Sequence, residues 1–203
     1  MTTSTDVLPD VLLVVAPADN LAGPRQGRFT YADYAALPED GHRYEIVAGV
    51  LYMTPSPNAD HQGSSVRFVY HLMTHVEIAG IGRVFVAPFD VELSPIMVVQ
   101  PDVIVVLNAN TGIITPSRIV GTPDLVIEIA SPSTAGYDRR AKQDAYAAAG
   151  VGEYWIADPS AQTIEVLTLS DGAYRSLKVF RGKATLPSRV VPNLPVAVSQ
   201  FFL

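Results

Sequence analysis

The chain of 203 residues contains no cysteine. This absence excludes a disulfide-stabilised scaffold, a cysteine nucleophile, and zinc or iron–sulfur sites built from thiolates. No apolar run approaches the roughly 20 residues that a membrane-spanning helix needs. The first basic residue is Arg25, so no positive charge precedes an apolar stretch, as a secretory signal would require. We therefore expect a cytoplasmic protein.

Basic residues are also scarce. Fourteen Lys and Arg stand against twenty Asp and Glu, which gives a formal net charge of −6. A protein that binds nucleic acid without sequence preference usually carries a basic excess. An acidic nuclease is still compatible with this balance, because bound cations offset the charge of metal-binding carboxylates. The sequence has neither a Walker motif nor Gly-x-Gly-x-x-Gly, so nothing indicates a nucleotide cofactor.

Apolar residues, at 48% of the chain, are numerous enough for a folded core. Residues 1–27 are predicted to form a flexible arm or an added edge strand, and residues 28–203 a single domain. Helical periodicity and capping residues predict three helices, at residues 31–37, 61–79 and 138–149. Strands are predicted at residues 44–53 (a hairpin), 83–93, 101–107, 123–130, 153–157, 163–169 and 174–180. This order predicts an α/β domain around a central sheet.

Several acids interrupt otherwise apolar strands. Asp102 opens the run VIVVL, Glu128 lies inside LVIEIA, and Glu45 precedes Ile46. A buried carboxylate without a partner is costly, so each acid needs a cation, a hydrogen-bond network or a metal. If the Asp102 and Glu128 strands are neighbours, both carboxylates can converge and hold Mg²⁺, with water and a substrate phosphate completing its shell. The structural alternative is that each acid caps a turn or pairs with an arginine.

Lysine is the rarer basic residue, with three in the chain against eleven arginines. Lys142 follows Arg139 and Arg140, which indicates a position where a compact ammonium is needed rather than a planar guanidinium. On the predicted helix Lys142 shares a face with Asp138 and Tyr146. A surface lysine paired with Asp138 is the simpler alternative.

Five segments resemble a known family when taken in order. They are GVLYMTPSPNADHQGSS, FVAPFDVELS, QPDVIVV, GTPDLVIEIASPST and YDRRAKQDAYAAAGVGEYWIADP. The chain resembles the Uma-two family, bacterial proteins described as putative endonucleases, over about residues 29–169. The resemblance implies a restriction-endonuclease-like PD-(D/E)xK fold. In that fold a central mixed sheet is flanked by helices in the order αβββαβ, with extra strands here at the C-terminus.

The resemblance also implies roles for individual residues. The general motif has a lysine two positions after its second acid, but that position here is Ala130. Lys142 on the following helix is the matching candidate. The implied site comprises Asp102, Glu128, Lys142 and Glu45 as catalytic residues, His61 and Gln62 as substrate contacts, and Asp102, Glu128 and the Ile129 main-chain carbonyl as ligands of Mg²⁺ or Mn²⁺.

The resemblance implies hydrolysis of phosphodiester bonds in DNA. Cleavage of both strands by a small nuclease needs two active sites, so a symmetric homodimer is expected. The alternative function is a catalytically inactive module that keeps the nuclease fold and binds nucleic acid or a protein partner. The position of Lys142 discriminates between the two, because a solvent-facing Lys142 would have no catalytic role.

Overall fold

Two six-stranded sheets form the framework of the protein, and the computed structural model describes residues 16–130 and 142–202. The strands are β1 (Ala16–Pro17), β2 (Arg43–Val47), β3 (Val50–Thr54), β4 (Gly82–Val86), β5 (Asp90–Ser94), β6 (Met97–Val99), β7 (Val103–Leu107), β8 (Arg118–Val120), β9 (Leu125–Ile129), β10 (Glu153–Asp158), β11 (Thr163–Ser170) and β12 (Ala173–Arg181). The α-helices are α1 (Tyr31–Ala35), α2 (Ala59–Leu72) and α3 (Gln143–Ala149).

The first sheet has the strand order β1-β3-β2-β6-β5-β8. Its centre is the predicted hairpin, in which β2 pairs with β3 through a turn at Ala48 and Gly49. Both turn residues have positive φ, 51° and 74° respectively. A side chain at Gly49 would place its Cβ 2.5 Å from the Gly27 carbonyl oxygen, so this close approach of two backbone segments requires glycine.

The second sheet has the order β12-β11-β10-β9-β7-β4. Its apolar central strands β7, β9 and β10 are buried, as the sequence predicts for strands covered on both faces. Strand β9 runs antiparallel to β7 and parallel to β10, so the sheet is mixed. Tight pairing of these strands fixes which of their side chains face the same way.

Different elements pack against the two faces of the second sheet. On one face Ile127 and Trp155 pack against Phe68 of α2 and Phe201 near the C-terminus. Burial of a side chain such as Phe68 contributes about 1.5–3 kcal/mol to folding. On the other face Val126 and its neighbours pack against the first sheet and α3, in a cluster that includes Val91, Val99, Ile104, Tyr146, Tyr154 and Ile156.

The strand predicted over residues 83–93 is wrong in one respect. It consists of two strands, β4 in the second sheet and β5 in the first. Pro88 lies between them and has no N–H to donate to a strand ladder, so the chain changes sheet there. The chain changes sheet again between β6 and β7, through Gln100, Pro101 and Asp102.

Helix α2 matches the helix predicted over residues 61–79, and begins after Asn58, whose side chain accepts a hydrogen bond from the His61 N–H at 2.9 Å. It continues as a π-helical turn over Met73–Glu77. Helix α1 is shorter than the predicted segment 31–37. Helix α3 ends at Gly150, and residues 138–141 of the predicted helix lie outside the described residues.

None of the helices in the described parts of the chain is long and apolar enough to cross a membrane. Strand β1 pairs with β3 at the edge of the first sheet, while residues 1–15 lie outside the described residues. The division into an arm over residues 1–27 and one domain over residues 28–203 stays a prediction, as does a cytoplasmic location.

Candidate active site

Three buried carboxylates meet where the chain passes from the first sheet to the second. Glu45 on β2 is 0% exposed, Asp102 before β7 is 6% exposed, and Glu128 on β9 is 3% exposed. In the β7–β9 ladder Val103 pairs with Ile127. The next position of that register sets Asp102 opposite Glu128, so the two side chains leave the same face of the sheet.

Lys142 lies between two of these acids. Its Nζ is 2.9 Å from Glu45 Oε1 and 3.0 Å from Glu128 Oε1, and the residue is 4% exposed. Lys142 immediately precedes α3 in helical conformation, which carries its side chain towards β9. The ammonium is therefore part of a buried charge network rather than a solvent-facing group. Asp138, the alternative partner, lies outside the described residues.

Two further groups hold the acids, and neither was identified as a site residue from the sequence. The Tyr146 hydroxyl donates to Glu128 Oε1 at 2.6 Å, and the Gln100 main-chain N–H donates to Glu45 Oε1 at 2.7 Å. Burial, and next the charge of Glu128, raise the pKa of Tyr146 well above its ordinary value, so the hydroxyl stays protonated and donates. The four-residue spacing of Lys142 and Tyr146 on one helix face was the available signal for the tyrosine.

Asp102 joins β9 to helix α2. Its Oδ2 accepts a hydrogen bond from the Ile129 N–H at 2.7 Å and lies 3.0 Å from His61 Nε2. Because an ionised carboxylate can only accept, His61 carries a proton on Nε2. His61 is 9% exposed, whereas its neighbour Gln62 is exposed and lies outside this set of buried contacts.

The Ile129 carbonyl belongs to the same edge of β9. In an extended strand the N–H and C=O of one residue point to the same side. Since the Ile129 N–H faces Asp102, the Ile129 carbonyl oxygen also faces that side. Asp102 and the Ile129 main chain are therefore adjacent, as the resemblance implies for two ligands of one ion.

Other acids in these strands have ordinary structural partners. Glu92 Oε2 pairs with Arg118 Nε at 2.7 Å, and the Arg118 guanidinium lies 3.9 Å from the centre of the Tyr31 ring. The alternative of an arginine-paired acid therefore holds for Glu92. It does not describe Glu45 or Asp102, whose cationic contacts within the described residues are Lys142 and His61.

Carboxylates outnumber the cationic groups that contact them among the described residues of the site. Those cationic groups are Lys142 and, when it is protonated, His61. Glu45 Oε2 and His61 Nδ1 are buried without a hydrogen-bond partner in the described parts of the protein. Within residues 16–130 and 142–202 no group of three or more His, Asp or Glu side chains is arranged to hold a metal. Mg²⁺ suits such a site, because it is usually bound through one or two carboxylates with water and substrate phosphate.

A solved structure of another protein has the same fold. It is the crystal structure of a putative nuclease belonging to DUF820 from Anabaena variabilis ATCC 29413. The two chains align with a TM-score of 0.72 over 86% of this chain and 97% of that one, at 21% sequence identity. The predicted restriction-endonuclease-like α/β class is confirmed, in the form of two mixed sheets flanked by few helices.

The sequence also matches a family directly. The Uma2 family, described as putative restriction endonuclease, matches residues 31–199. The chain belongs to this family, and the resemblance to it (as Uma-two) is confirmed. None of the curated proteins matches the chain.

Proposed function

We propose that the protein is an endonuclease that hydrolyses phosphodiester bonds in DNA with Mg²⁺ or Mn²⁺. One observation carries the proposal: Lys142 reaches both Glu45 and Glu128 from another element of the fold, although position 130 lacks a lysine. A lysine next to carboxylates that can hold a metal can stabilise the negative charge that develops during phosphodiester hydrolysis. Membership of a family described as putative restriction endonuclease supports the same reaction class.

The metal would be held by the carboxylates of Asp102 and Glu128 and by the Ile129 carbonyl. When bound there, a divalent cation polarises the phosphoryl oxygen and lowers the pKa of a coordinated water. Asp102 is held for this role by the Ile129 N–H, and Glu128 by the Tyr146 hydroxyl. Both carboxylates thus occupy fixed positions before a substrate arrives.

Lys142 would orient the attacking water or stabilise charge that develops on the phosphorus centre. Glu45 holds the ammonium in place, and its second oxygen, Oε2, is buried without a partner and can orient a further water. In its imidazolium form His61 would donate its Nδ1–H to the scissile phosphate while its Nε2–H faces Asp102. Gln62 is exposed beside it and would contact the neighbouring backbone of DNA.

The test combines Mn²⁺ titration calorimetry with nicking of supercoiled plasmid. Wild type is compared with Asp102→Asn, Glu128→Gln and the double variant. The matched control is Asp171→Asn, because the Asp171 side chain is 84% exposed and lies in the β11–β12 turn. We expect the double variant to lose both Mn²⁺ binding and nicking while the control keeps both. Absence of Mn²⁺ binding by folded wild type at millimolar metal would contradict the proposal.

The second candidate is a nuclease-fold module that binds nucleic acid or protein without cleavage. The observation in its favour is that Lys142 already neutralises part of the carboxylate charge and that the described residues contain no three-ligand metal group. A module that binds nucleic acid would bind DNA equally well in Mg²⁺ and in EDTA, and either kind of module would leave plasmid intact under both conditions. Cleavage that requires the metal would exclude it.

We also propose that the active form is a homodimer, because cleavage of both strands needs two sites. Sedimentation equilibrium with and without a short duplex tests this directly. A monomer under both conditions, together with single-strand nicking only, would contradict the dimer and leave the hydrolysis chemistry in place.

A further inference from the structure

A pocket of about 570 Å³ lies between helix α1, the segment leading into β2, and the start of β5. Three tyrosines, Tyr31, Tyr34 and Tyr44, contribute to its walls, and polar groups of Asp90 and Gln100 line it as well. Aromatic walls combined with a few polar groups are typical of a site for a flat, polar ligand. None of the roles assigned above uses this pocket.

The pocket adjoins the candidate active site. Tyr44 directly precedes Glu45 on β2, and Gln100 donates its main-chain N–H to Glu45 Oε1 at 2.7 Å. Gln100 is two residues from Asp102, so their Cα atoms are at most about 7.6 Å apart. The Gln100 end of the pocket therefore lies close to the backbone of Asp102.

Hydrogen bonds fix the orientation of the polar groups. Asp90 Oδ1 accepts from the Tyr34 hydroxyl at 2.8 Å and from Gln100 Nε2 at 2.8 Å. Because a carboxylate only accepts, the Gln100 amide must turn its NH₂ group towards Asp90. Burial, and next the charge of Asp90, raise the pKa of Tyr34, so its hydroxyl remains a donor to Asp90.

This orientation leaves an unsatisfied acceptor. Gln100 is 8% exposed, and its Oε1 is buried without a hydrogen-bond partner in the described parts of the chain. A buried carbonyl oxygen without a donor lowers stability, so it calls for a partner such as water, an ion or a ligand. Together with the Asp90 carboxylate it makes the polar part of the pocket rich in acceptors. A ligand that presents N–H donors would satisfy them.

Arg43 adds a cationic group at the same place. It lines the pocket, and its Nε is also buried without a partner among the described residues. Arg43 and Glu45 are two residues apart on β2, so their side chains leave the same face of the strand. Arg43 therefore leaves β2 on the Glu45 side, and a guanidinium in this position is suited to a backbone phosphate.

We propose that this pocket binds an unpaired nucleobase next to the cleaved phosphate, with guanine preferred. The proposal rests on the function proposed above and names its substrate class: DNA with an unpaired nucleotide, as in a single strand, a bulge or a loop. Aromatic stacking with hydrogen bonds to the Watson–Crick edge is how enzymes hold an extruded base. Guanine presents adjacent N–H donors on that edge, which match the acceptors of Asp90 and Gln100.

The experiment measures binding in EDTA, so that it does not depend on cleavage. The probes are a short fluorescein-labelled oligothymidine with one central guanine, the same strand without guanine, and the corresponding duplex, followed by fluorescence anisotropy. We expect wild type to bind the guanine strand about tenfold more tightly than the other two. Equal affinity for the three probes would overturn the proposal.

Two pairs of variants locate the binding. Asp90→Asn replaces an acceptor by a donor and is expected to abolish the guanine preference, whereas Asp171→Asn on the exposed β11–β12 turn should keep it. Ala35→Trp fills the pocket from an exposed wall position, and Ala32→Trp places the same side chain on α1 outside the pocket lining. The proposal is supported if Ala35→Trp loses the preference for the guanine strand while Ala32→Trp keeps it. An equal preference for the guanine strand in these two variants overturns the proposal.

Thermal melting checks that each variant is folded. If Asp90→Asn does not fold, Ala35→Trp alone tests whether guanine binds in the pocket.

The proposed endonuclease activity and the proposed base-binding pocket can be contradicted independently. Guanine preference without metal-dependent cleavage would support the pocket and contradict the endonuclease. Cleavage without any preference among the probes would contradict the pocket alone.

Discussion

Lys142 Nζ lies 3.0 Å from Glu128 Oε1, although the two residues are 14 positions apart in the chain. The PD-(D/E)xK pattern has its lysine two positions after the second acid, on the same strand, and here Ala130 occupies that position. The ammonium instead reaches the carboxylate from the residue preceding α3. An ammonium group can thus reach the second acid of the motif from a different position in the sequence.

The first prediction concerns removal of that charge. Lys142→Met keeps much of the side-chain volume but leaves Glu45 and Glu128 buried without the ammonium. Breaking a buried ion pair in this way costs about 3–5 kcal/mol of stability. Loss of one electrostatic stabiliser should also lower the cleavage rate by about 100-fold or more. Urea unfolding and plasmid nicking measure the two effects.

The control for this prediction is a double-mutant cycle with Glu45→Gln. Replacing Glu45 by a neutral residue removes one of the two carboxylates that lose the ammonium, so the double variant should be more stable than the sum of the single losses indicates. Additive losses would mean that Glu45 and Lys142 are energetically independent, which their 2.9 Å contact argues against.

The second prediction moves the lysine back to the strand. Ala130 directly follows β9 and continues its pairing through a hydrogen bond from its N–H to the Ala157 carbonyl, so its side chain is expected on the same face as that of Glu128, and it is only partly buried. In the Lys142→Ala background, Ala130→Lys should therefore restore part of the nicking activity and part of the lost stability. The matched control is Ala130→Met, which adds a similar chain without charge. Equal rescue by lysine and methionine would show that packing, and not charge, was lost.

Much of the site could be predicted from the sequence because it follows from local patterns. The apolar runs around Asp102 and Glu128 are typical of central strands, and β7 and β9 are indeed buried neighbours. Period-two alternation then sets Glu128 on one face. Helix α2 follows from its periodicity, and its Asn58 cap fixes the first turn that carries His61.

What could not be predicted depends on contacts between distant segments. Residues 83–93 have a continuous strand pattern, but the chain changes sheet at Pro88, and no local rule says which partner each half takes. The contact between Glu45 and Lys142 joins the first sheet to the start of α3. Gln100 is likewise an ordinary polar residue in the sequence, and its role as a link between Glu45 and Asp90 exists only after β2, β5 and β6 have assembled into the first sheet.

A third prediction tests the tyrosine that supports Glu128. Tyr146→Phe removes the hydroxyl that donates to Glu128 Oε1 at 2.6 Å and leaves the ring in the core. A hydrogen bond to a charged group contributes about 1.5–3 kcal/mol. We expect a loss of that size in the free energy of unfolding, and weaker Mn²⁺ binding because Glu128 is less firmly held. Tyr174→Phe is the matched control, since its hydroxyl donates to the Val151 carbonyl, away from the acids. An unchanged Mn²⁺ affinity in Tyr146→Phe would contradict the positioning role.

The last prediction concerns alkaline pH. Desolvation by burial is the main cause that raises the pKa of four tyrosines, Tyr34, Tyr44, Tyr146 and Tyr174, and it raises that of Tyr44 to about 12. In the unfolded chain these phenols ionise near pH 10, so above that pH the unfolded state releases protons that the folded state retains. The stability that the protonated phenols contribute is complete below pH 10 and is lost as the pH rises towards the folded-state values.

Each tyrosine that stays protonated only in the folded state should lower the free energy of unfolding by about 1.4 kcal/mol per pH unit in this window. Urea unfolding of wild type from about pH 9 to about pH 11.5 measures the slope. This range begins below and ends above the tyrosine pKa of about 10 in unfolded chains. Tyr146→Phe should have a shallower slope than wild type, because one titrating phenol is gone, even though it is less stable at pH 8. Parallel slopes for the two proteins would mean that Tyr146 ionises alike in both states, which its buried contact with Glu128 contradicts.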